Sequence, residues 1–363
     1  MKIIMTGGHH SSAMPVIKIL KALKVEILWF GHRYSLAKDE NDTLEYREIT
    51  SEGIRFIELP TGKLYRNISV SSIVKIIKAT YYSMQEIREF KPDIILSFGG
   101  YLAVPVVVAG WILGIKILTH EQTLISGYAN RVIALFADKI LVSWLESAKY
   151  FPTEKVVFSG IPLRDSIFKN NNDFVIDNNL PTILIMGGKT GSHIINMVIR
   201  DGLVKLLDKY NLIHQTGDYS EFKDYDELVK AHSFLKDHKG TYIVRKFLSE
   251  SEVGSAYFCS NVVVCRAGAH TTLELLALKK KAIMIPIPWV SHNEQNLNAS
   301  LVAESGLAIV LPEKNFNTET LIRELDMMTN EAASVKKDLY KNYPKDAEYR
   351  IVNQIRLVLK SEF

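Results

Sequence analysis

The chain has 363 residues, of which 47% are hydrophobic and 23% are charged, and it contains 20 Gly and 11 Pro. At about 150 residues per domain this length suggests two domains, and the composition excludes disordered, collagen-like, coiled-coil and disulfide-rich proteins. Two cysteines, Cys259 and Cys265, are too few for a disulfide framework or a four-ligand zinc site, which fits a reducing cytoplasm. The net charge of +4 is too small to indicate a nucleic-acid partner.

The first residues form a short strand and a glycine turn, without the apolar core of a signal peptide. The uncharged segment Ile94–Ile115 is long enough for a transmembrane span, but glycines and Pro105 interrupt it and it opens on a β-rich run. We interpret it as strand, glycine turn, buried helix and strand. The sequence therefore predicts a protein that is soluble or peripheral to a membrane.

Short β-branched runs alternate with helix-length segments along the whole chain, which predicts βαβ units and parallel sheets covered on both faces. The first series of predicted strands is Lys2–Met5, Val25–Phe30, Arg55–Leu59, Ile94–Ser97, Lys116–Thr119, Lys139–Val142 and Val156–Ser159. The second series is Thr182–Met186, Leu212–Gln215, Tyr242–Arg245, Val262–Cys265, Ala282–Pro286 and Ala308–Leu311.

Each series opens with a glycine-rich turn from strand to helix, which favours two Rossmann-like domains with a break near residues 162–179. We expect an N-terminal domain of residues 1–163 and a C-terminal domain of residues 164–341. Residues 342–363 would pack back on the first domain through a final helix, roughly Asp346–Leu359. Doubly wound sheets bind ligands outside the carboxyl ends of their strands, so we expect a central cleft between the domains.

Three polar segments follow strands of the first series. The turn Thr6–Ser12 has glycines that let the backbone approach a ligand, and Pro15 leads from it into a helix. Its His9 and His10 could supply a base or hydrogen-bond donors, or could be surface histidines. Segments Ser97–Tyr101 and Thr119–Gln122 end the fourth and fifth strands, where a His-Glu pair could orient a hydroxyl-rich ligand or form a structural hydrogen-bond network.

Three polar segments also follow strands of the second series. The loop Met186–Ser192 carries glycines and a lysine and could cradle a diphosphate or be a plain turn. In Cys265–Glu274 the loop amides could face phosphate, and Glu274 could accept from a ribose diol or be a charge on a helix surface. Segment Pro286–Asn296 is rich in amides and carboxylates, which suit sugar hydroxyls.

One further motif, Asp224-Tyr225-Asp226, has the form of an Asp-x-Asp metal site. It lies in the charged stretch Glu221–Glu227 and not at the end of a strand. We interpret it as a solvated helix face, and we expect no metal site in the chain.

Taken together, these motifs resemble the undecaprenyl-diphospho-muramoylpentapeptide β-N-acetylglucosaminyltransferase family, the lipid II-forming GlcNAc transferases of glycosyltransferase family 28. The resemblance runs from Thr6 to about Leu311. Its most specific pieces are Phe98-Gly99-Gly100-Tyr101, His120-Glu121-Gln122, Gly127 with Asn130-Arg131, Phe136-Ala137-Asp138, Gly160 with Pro162 and Arg164, His214-Gln215-Thr216-Gly217, Arg266-Ala267-Gly268-Ala269 with Glu274, and Gln295 with Asn298.

The resemblance implies the GT-B fold, an α/β fold of two Rossmann-like doubly wound parallel-sheet domains facing a central cleft. It implies inverting, metal-independent transfer of GlcNAc from UDP-GlcNAc to undecaprenyl-diphospho-MurNAc-pentapeptide, lipid I. The product would be lipid II, for peptidoglycan synthesis, cell wall biogenesis, cell shape and cell division. No cofactor is expected besides the substrates. The expected place is the cytoplasm, peripheral on the inner face of the cell membrane, with no nucleic-acid partner.

The resemblance also assigns roles, residue by residue. The donor would contact Arg164, Gly188, Lys189, Thr190, Gly191, Phe247, Leu248, Gly268, Ala269, His270, Thr271, Glu274, Glu294 and Gln295. The polyprenyl-diphosphate-linked acceptor would contact Gly8, Ser11, Ser12, Gly100, Tyr101, His120, Gln122, Thr123 and Asn130. The catalytic base would be His9 or His10, with Glu121 as second candidate.

The chain departs from the family pattern at several of these positions. In the first turn, an alignment on Pro15 puts Ser11 and Ser12 in place of Gly-His, whereas an alignment on Thr6–His9 makes His9 the equivalent histidine. Both alignments stay open. Elsewhere, Thr123 and Ile161 stand for Asn, and Lys189 stands for Ser.

Departure of UDP builds negative charge on the diphosphate, which helix N-termini and Lys189 would stabilise in place of Mg²⁺. A polyprenol acceptor requires contact with a membrane. The segment Lys63–Lys91 mixes basic and apolar residues and suits an anionic bilayer surface, or is an ordinary amphipathic helix on the sheet.

Three other functions fit the same sequence. The chain could use a different polyprenol-linked acceptor, or it could isomerise UDP-GlcNAc as the related 2-epimerases do. It could also be a non-catalytic nucleotide-sugar binding subunit whose altered first turn has lost catalysis.

Overall fold

The computed structural model describes residues 1–8, 10–34, 42–59, 70–188, 191–219, 221–290, 293–330, 336 and 338–360. The chain divides into two compact units. Unit 1 consists of Met1–Leu163 and Pro344–Phe363, and unit 2 of Arg164–Tyr343. None of the helices within the described ranges combines the length and the apolar character needed to cross a bilayer.

Each unit is built on one parallel sheet. The seven strands of unit 1 lie in the order β3-β2-β1-β4-β5-β6-β7 and the six strands of unit 2 in the order β10-β9-β8-β11-β12-β13. Their bounds are β1 Lys2–Thr6, β2 Glu26–Gly31, β3 Arg55–Glu58, β4 Ile94–Ser97, β5 Lys116–Glu121, β6 Lys139–Val142, β7 Val156–Phe158, β8 Thr182–Met186, β9 Asn211–Gln215, β10 Tyr242–Arg245, β11 Val262–Cys265, β12 Lys281–Met284 and β13 Ala308–Val310.

Helices follow most strands and cover the sheets. Their bounds are α1 His10–Ala22, α2 Leu44–Ser51, α3 Val70–Phe90, α4 Ala103–Ile112, α5 Tyr128–Phe136, α6 His193–Asp201, α7 Leu203–Leu207, α8 Asp224–Ser233, α9 Glu250–Cys259, α10 Ala269–Leu278, α11 Glu294–Glu304, α12 Thr318–Asn330 and α13 Ala347–Leu359. The last helix, α13, belongs to unit 1 and packs against α1.

Both faces of the unit 1 sheet are buried, because alternate residues of each strand point to opposite sides. Ile3 and Met5 of β1 lie in one cluster with α1 and with Ile351 of α13. Ile4 of the same strand lies in the opposite cluster, with Val106 and Val107 of α4. The comparable cluster of unit 2 joins β8 and β11 to α6, α7 and α12. Continuous apolar strands therefore dictate a parallel sheet with two helical layers.

The strand order reverses once in each sheet, between β1 and β4 in unit 1 and between β8 and β11 in unit 2. At such a switch point the two following loops run in opposite directions and leave a crevice at the carboxyl ends of the strands. The first glycine turn follows β1 and the segment 98–101 follows β4. The loop 187–191 follows β8 and the segment 266–268 follows β11. The sequence motifs thus lie at the two switch points.

The predicted fold class is confirmed, and each predicted strand is present within the described residues. Several predicted bounds are wrong by one or two residues; β12, for example, ends at Met284 and not at Pro286. Two of the differences bear on the site. Strand β5 continues to Glu121, because His120 and Glu121 still pair with β6. Helix α1 begins at His10 and passes through Pro15, because Ala13, Val16 and Ile17 bury its sheet-facing side. His10 and Ser12 are therefore helical residues.

Candidate functional site

The first glycine turn contacts the glycine segment that follows β4. Gly8 has a φ of +122°, and a Cβ at this position would lie 2.6 Å from the carbonyl oxygen of Gly99. Gly99 has a φ of +77°, and a Cβ there would lie 2.5 Å from Oδ1 of Asn130. Only glycine allows this backbone approach. Gly8, Gly99, Gly100 and Asn130, all named from the sequence, are thus brought together.

Helix α2 supplies two carboxylates beside this turn. Glu45 accepts from Nε1 of Trp29 at 2.8 Å, and its carboxylate occupies the space that side chains at Gly7 and Gly31 would fill. Glu48 lies 2.8 Å from Nε2 of His10 through its Oε2. The imidazole is almost fully buried at the first turn of α1. No local sequence motif marks either glutamate, so neither could be predicted as part of the site.

The end of β5 forms a buried polar network. Glu121 accepts from the Thr123 backbone N–H at 2.9 Å and from Nδ2 of Asn130 at 2.9 Å. The hydroxyl of Thr123 lies 2.7 Å from the same carboxylate. Glu121 is only 2% exposed, so solvent and ligands do not reach it in this structure. Its carboxylate orients Thr123 and Asn130.

His120 points to the other face of the sheet. Its Nε2 lies 2.9 Å from the carbonyl oxygen of Gly160 and 3.3 Å from Oγ of Ser143, and its ring packs edge-on against Phe98. The side chain of His120 is fully buried. Of the two roles that the sequence allowed for the His-Glu pair, these contacts therefore favour the structural hydrogen-bond network.

The other residues of unit 1 that the sequence singled out differ in accessibility. Ser12 is fully buried and Gln122 is 1% exposed. The side-chain amide of Gln122 has no hydrogen-bond partner among the described residues. Ser11 is half-buried on the first turn of α1, and Tyr101 is half-buried with its ring near His32. His9 lies outside the described residues.

In unit 2, three helices begin at the carboxyl ends of strands without a side-chain cap. They are α6 after β8, α10 after β11 and α11 after β12, with Ser192, Gly268 and Asn293 at their N-caps. Uncapped first turns leave backbone N–H groups directed outward, and the helix dipole adds partial positive charge. This arrangement favours an anion. Lys189 and Thr190 of the glycine loop lie outside the described residues.

Close packing shapes the loop in front of α6. A Cβ at Gly187 would lie 2.2 Å from the backbone nitrogen of Ser192. Gly191 has a φ of +81°, and a Cβ there would lie 1.9 Å from the carbonyl oxygen of Thr216. The glycines therefore let the loop fold back on its own helix and on the end of β9.

Arg266 connects three segments of the chain that border this crevice. Its guanidinium donates to Oγ of Ser192 at 3.0 Å, to the carbonyl of Ile285 at 3.0 Å and to Oε1 of Glu313 at 2.8 Å. Arg266 and Glu313 are both about nine-tenths buried. Each of the three guanidinium nitrogens thus has an acceptor, and Arg266 ties the start of α6 to the chain beyond β12.

Glu274 on α10 is buried and accepts two hydrogen bonds. Its Oε1 accepts from Arg164 at 3.2 Å and its Oε2 accepts from the hydroxyl of Tyr257 at 2.8 Å. Burial and the neighbouring Glu274 carboxylate raise the pKa of Tyr257 well above its usual value, so this phenol remains a donor. Glu274 is thus not a charge on the helix surface. Tyr257, the donor to Glu274, is a residue of this site that was not predicted from the sequence.

Two glutamine side chains connect the loops of this crevice. Gln215 donates to the carbonyl of Gly188 at 3.1 Å and accepts from the backbone N–H of Leu248 at 3.0 Å. Gln295 accepts from the backbone N–H groups of Ile287 and Ala267 at 3.0 and 3.3 Å. Its oxygen is therefore occupied, which leaves the amide NH₂ as the group it can offer to a sugar hydroxyl.

The other residues that were predicted to contact the nucleotide sugar belong to the same loops and helix starts. Ala269 and Thr271 belong to the first turn of α10 together with His270, and all three are half-buried. Glu294 opens α11 and is half-buried, and Phe247 is half-buried beside Leu248. Buried Asn298 donates to the carbonyl of Ala267 at 2.9 Å, which supports the loop after β11.

A buried polar chain runs beneath the loop 187–191. His214 lies 3.0 Å from both the hydroxyl of Tyr242 and Oδ1 of Asn196, and the Asn196 amide donates to Asp224 at 2.8 Å. His193 also contacts Asp224, at 2.7 Å. The interpretation of Asp224 as part of a solvated face is therefore wrong, because its side chain is bonded inside unit 2. Across the described part of the chain, no three His, Cys, Asp or Glu side chains are grouped to hold a metal ion.

Comparison with protein families matches both halves of the chain. Residues 3–142 match the glycosyltransferase family 28 N-terminal domain, and residues 182–355 match the glycosyltransferase family 28 C-terminal domain.

Two named relatives are similar over most of the chain. A Bacillus cereus protein named UDP-N-acetylglucosamine--N-acetylmuramyl-(pentapeptide) pyrophosphoryl-undecaprenol N-acetylglucosamine transferase 2 is 30% identical, over 98% of this chain and 99% of its own. A Clostridium botulinum transferase of the same name, without the numeral, is 33% identical over 90% of each chain.

Solved structures share the fold. MurG from Acinetobacter baumannii superposes with a TM-score of 0.72 at 23% identity, covering 98% of this chain and 99% of its own. The UDP-GlcNAc 2-epimerase from Methanocaldococcus jannaschii gives a TM-score of 0.64 at 14% identity, covering 98% of this chain and all of its own. These likenesses show the fold, the two-domain α/β architecture called GT-B.

We expect acid to destabilise unit 2 through His214. Burial lowers the pKa of His214 to about 3, so the folded chain excludes a proton that the unfolded chain binds below about pH 6.5. Stability should therefore fall as pH drops through this window, by about 1.4 kcal/mol per pH unit at most. His214→Gln should lose this part of the slope, as measured by urea unfolding at several pH values. Tyr242→Phe keeps the buried imidazole and should retain it; equal slopes in wild type and His214→Gln would contradict the assignment.

Proposed function

Because the chain belongs to glycosyltransferase family 28, we propose that it transfers GlcNAc from UDP-GlcNAc to undecaprenyl-diphospho-MurNAc-pentapeptide and so forms lipid II. The named relatives carry this reaction in their names. The observation that carries the proposal is the crevice of unit 2, where uncapped α6 and α10 and the carboxylate of Glu274 surround one switch point. Anion-binding amides beside a diol-binding carboxylate suit a nucleoside diphosphate sugar.

In this proposal unit 2 holds the donor. Glu274 accepts from the ribose hydroxyls, and the backbone near Phe247 and Leu248 faces uracil. Gly188, Lys189, Thr190 and Gly191 contact the diphosphate from one side, and Gly268, Ala269, His270 and Thr271 contact it from the other. Arg164 contributes positive charge, and Gln295 with Glu294 binds the GlcNAc hydroxyls. The bond between Glu274 and Arg164 supports this set, because it holds both groups at the same crevice.

The reaction breaks the bond between the anomeric carbon and the diphosphate oxygen while the acceptor hydroxyl attacks from the opposite face. Negative charge grows on the departing UDP, and fixed donors at that position lower the barrier. The first turns of α6 and α10 supply such donors in this chain. The charge on the diphosphate is thus stabilised by backbone N–H groups and side-chain cations, and the transfer needs no metal ion.

Metal independence has a direct assay. Labelled UDP-GlcNAc and a short-chain lipid I analogue are incubated with the enzyme in excess EDTA, and the label on the lipid is measured. We expect the initial rate to equal the rate with added Mg²⁺, since the chain's own donors neutralise the diphosphate. Loss of transfer in EDTA that Mg²⁺ restores would contradict this part of the proposal.

Removing the charge of Glu274 tests the donor site. Glu274→Gln keeps the shape of the side chain but retains only one acceptor oxygen, so it can accept from Tyr257 or from Arg164, and it weakens the hydrogen bonds to the ribose. We expect UDP to bind about 10- to 100-fold more weakly by calorimetry, because a hydrogen bond to a charged group contributes about 1.5–3 kcal/mol. Glu304→Gln, at the exposed end of α11, is the matched control and should bind UDP as wild type does. Unchanged UDP affinity in Glu274→Gln would exclude a ribose contact.

A base must take the proton of the acceptor hydroxyl, and we propose His10 for this role in preference to His9 or Glu121. Nε2 of His10 lies 2.8 Å from Oε2 of Glu48, at the first turn of the helix that follows β1. A carboxylate behind an imidazole orients the ring and stabilises the protonated form. Glu121 accepts three hydrogen bonds from Thr123 and Asn130 and is 2% exposed, so we assign it a positioning role.

Variants of this pair should separate chemistry from binding. His10→Ala should lower kcat by about 10²- to 10⁴-fold, the usual contribution of a positioned base. Glu48→Gln should lower kcat less and move the acidic limb of the pH–rate profile, because the orienting charge is lost. UDP affinity should stay unchanged in both. Glu52→Gln, on the same helix end and paired with Lys21, is the control. Full kcat in His10→Ala would rule out the role.

We further propose that unit 1 holds the acceptor and contacts the membrane peripherally, on the cytoplasmic face. Gly8, Gly100, Tyr101 and Asn130 lie at its switch point, and a polyprenyl diphosphate placed there keeps its chain in the bilayer. The layer formed by α3, α4 and α5 exposes large apolar side chains, namely Val74, Ile77 and Tyr81 on α3, Trp111 and Ile112 on α4, and Leu135 on α5.

Basic side chains border this layer. Lys75 and Lys78 are exposed on α3, while Lys63 and Arg66 of the predicted membrane segment lie outside the described residues. Apolar and cationic groups on one surface favour an anionic bilayer. Such attachment would place lipid II synthesis for the cell wall, and thereby cell shape and division, at the inner membrane surface.

The double variant Ile77→Ser and Trp111→Ser tests the membrane surface. Both side chains are more than half exposed, so the fold should tolerate the change. We expect at least about tenfold weaker binding to vesicles of mixed neutral and anionic phospholipids, since each large apolar group contributes up to about 1.5–3 kcal/mol when buried. Leu357→Ser on α13, equally exposed but outside this layer, should bind like wild type. Equal vesicle binding by all three proteins would refute the assignment.

The alternatives have separate signatures in the same assays. A different polyprenol-linked acceptor would give donor binding without transfer to lipid I. A 2-epimerase would release the epimer of UDP-GlcNAc in the absence of acceptor, and a binding subunit would show no turnover at all. Family membership and the presence of both family 28 domains favour the transferase.

A further inference from the structure

Two histidines of unit 2 face each other away from the crevice. His232 lies in the last turn of α8 and His238 in the segment that leads to β10. Their Nε2 atoms are 3.2 Å apart, and both side chains are half-buried. Neither residue takes part in the proposed transfer, so the contact needs a separate explanation.

The ring of His238 is held in one orientation and one tautomer. Its Nδ1 lies 2.7 Å from the carbonyl oxygen of Gly240, and a carbonyl can only accept, so Nδ1 carries the hydrogen. In the neutral ring Nε2 then presents its lone pair toward His232. Metal-binding histidines commonly have this arrangement, with the second ring nitrogen donating to a backbone carbonyl.

The second ring is fixed by packing. His232 meets the ring of Tyr242 edge-on, with the two ring centres 5.1 Å apart. Two imidazole nitrogens bound to one ion at about 2.0–2.1 Å are separated by about 2.8–3.0 Å at an octahedral angle and by about 3.3–3.4 Å at a tetrahedral angle. The observed separation of 3.2 Å lies between these values, so a shift of a few tenths of an ångström brings the two nitrogens to either distance.

We propose that His232 and His238 form a two-histidine site for a divalent transition metal ion of the Zn²⁺ class. Imidazole nitrogen is a preferred ligand for such ions. No third His, Cys, Asp or Glu joins the pair among the described residues, so water fills the other coordination positions. The ion would link the end of α8 to the segment before β10 and stabilise unit 2.

Both rings bind a metal ion in the neutral form. Without metal, His232 donates its Nε2 hydrogen to Nε2 of His238. On binding, this hydrogen moves to Nδ1 of His232, so that both Nε2 lone pairs face the ion.

The test uses the untagged full-length protein, with Zn²⁺ titrated by calorimetry into wild type, His232→Asn and His238→Gln. We expect one Zn²⁺ equivalent in wild type whose affinity falls at least about tenfold in each variant, since even loss of an outer-sphere partner costs about 10- to 100-fold. His193→Gln removes a different histidine of unit 2 and should bind Zn²⁺ as wild type does. Zn²⁺ should also raise the thermal midpoint of wild type but not of the two variants.

Long-range ¹H–¹⁵N spectra of wild-type imidazoles provide a measurement that does not depend on variant folding. We expect Zn²⁺ to shift the Nε2 resonances of two histidines, and the variants to identify them as His232 and His238. Unshifted resonances of this pair, or equal Zn²⁺ affinity in wild type and both variants, would overturn the proposal and leave a plain hydrogen bond between two neutral rings.

Discussion

Close contacts between backbone segments at the carboxyl ends of the strands determine the shape of the crevice in each unit. In unit 1 the backbone of Gly8 reaches the carbonyl of Gly99, and in unit 2 Gly191 reaches the carbonyl of Thr216. A side chain at any of these glycines would occupy the position of another backbone atom or of the Asn130 amide. The strand order creates a crevice at each switch point. Because glycine has no side chain, backbone groups form the surface of the crevice at these positions.

Buried polar networks then hold each crevice in one geometry. Glu121 binds Thr123 and Asn130 in unit 1, while Arg266 joins Ser192 to Glu313 in unit 2. Such networks stabilise a single arrangement when every member has a partner. Donors fixed before the substrate arrives need no reorganisation during the reaction, which is the property that an electrostatic catalyst requires. The cost of desolvating these groups is met during folding.

The sequence alone predicts the sheets and their ligand-binding ends well. Strands buried on both faces read as continuous apolar runs, and a glycine turn follows each strand that borders a switch point. The start of α1 could not be predicted, because Pro15 is a typical start signal and burial of Ala13 and Val16 outweighs it.

Contacts between distant segments are beyond sequence reasoning for a different reason. Glu45 on α2 binds Trp29, Tyr257 binds Glu274, and Glu313 binds Arg266 from a position 47 residues further along the chain. No periodicity or local motif marks such partners, since only the packed units bring them together. The partners of His120, the Gly160 carbonyl and the Ser143 hydroxyl, are likewise distant in sequence.

We propose that unit 2 alone holds the donor, and hydrogen–deuterium exchange of the full-length chain with UDP-GlcNAc distinguishes the two units. We expect slower exchange for the amides of residues 187–192, 246–248 and 266–271, and unchanged exchange for residues 6–12. Protection of the first glycine turn, or no protection of the loops in unit 2, would contradict it.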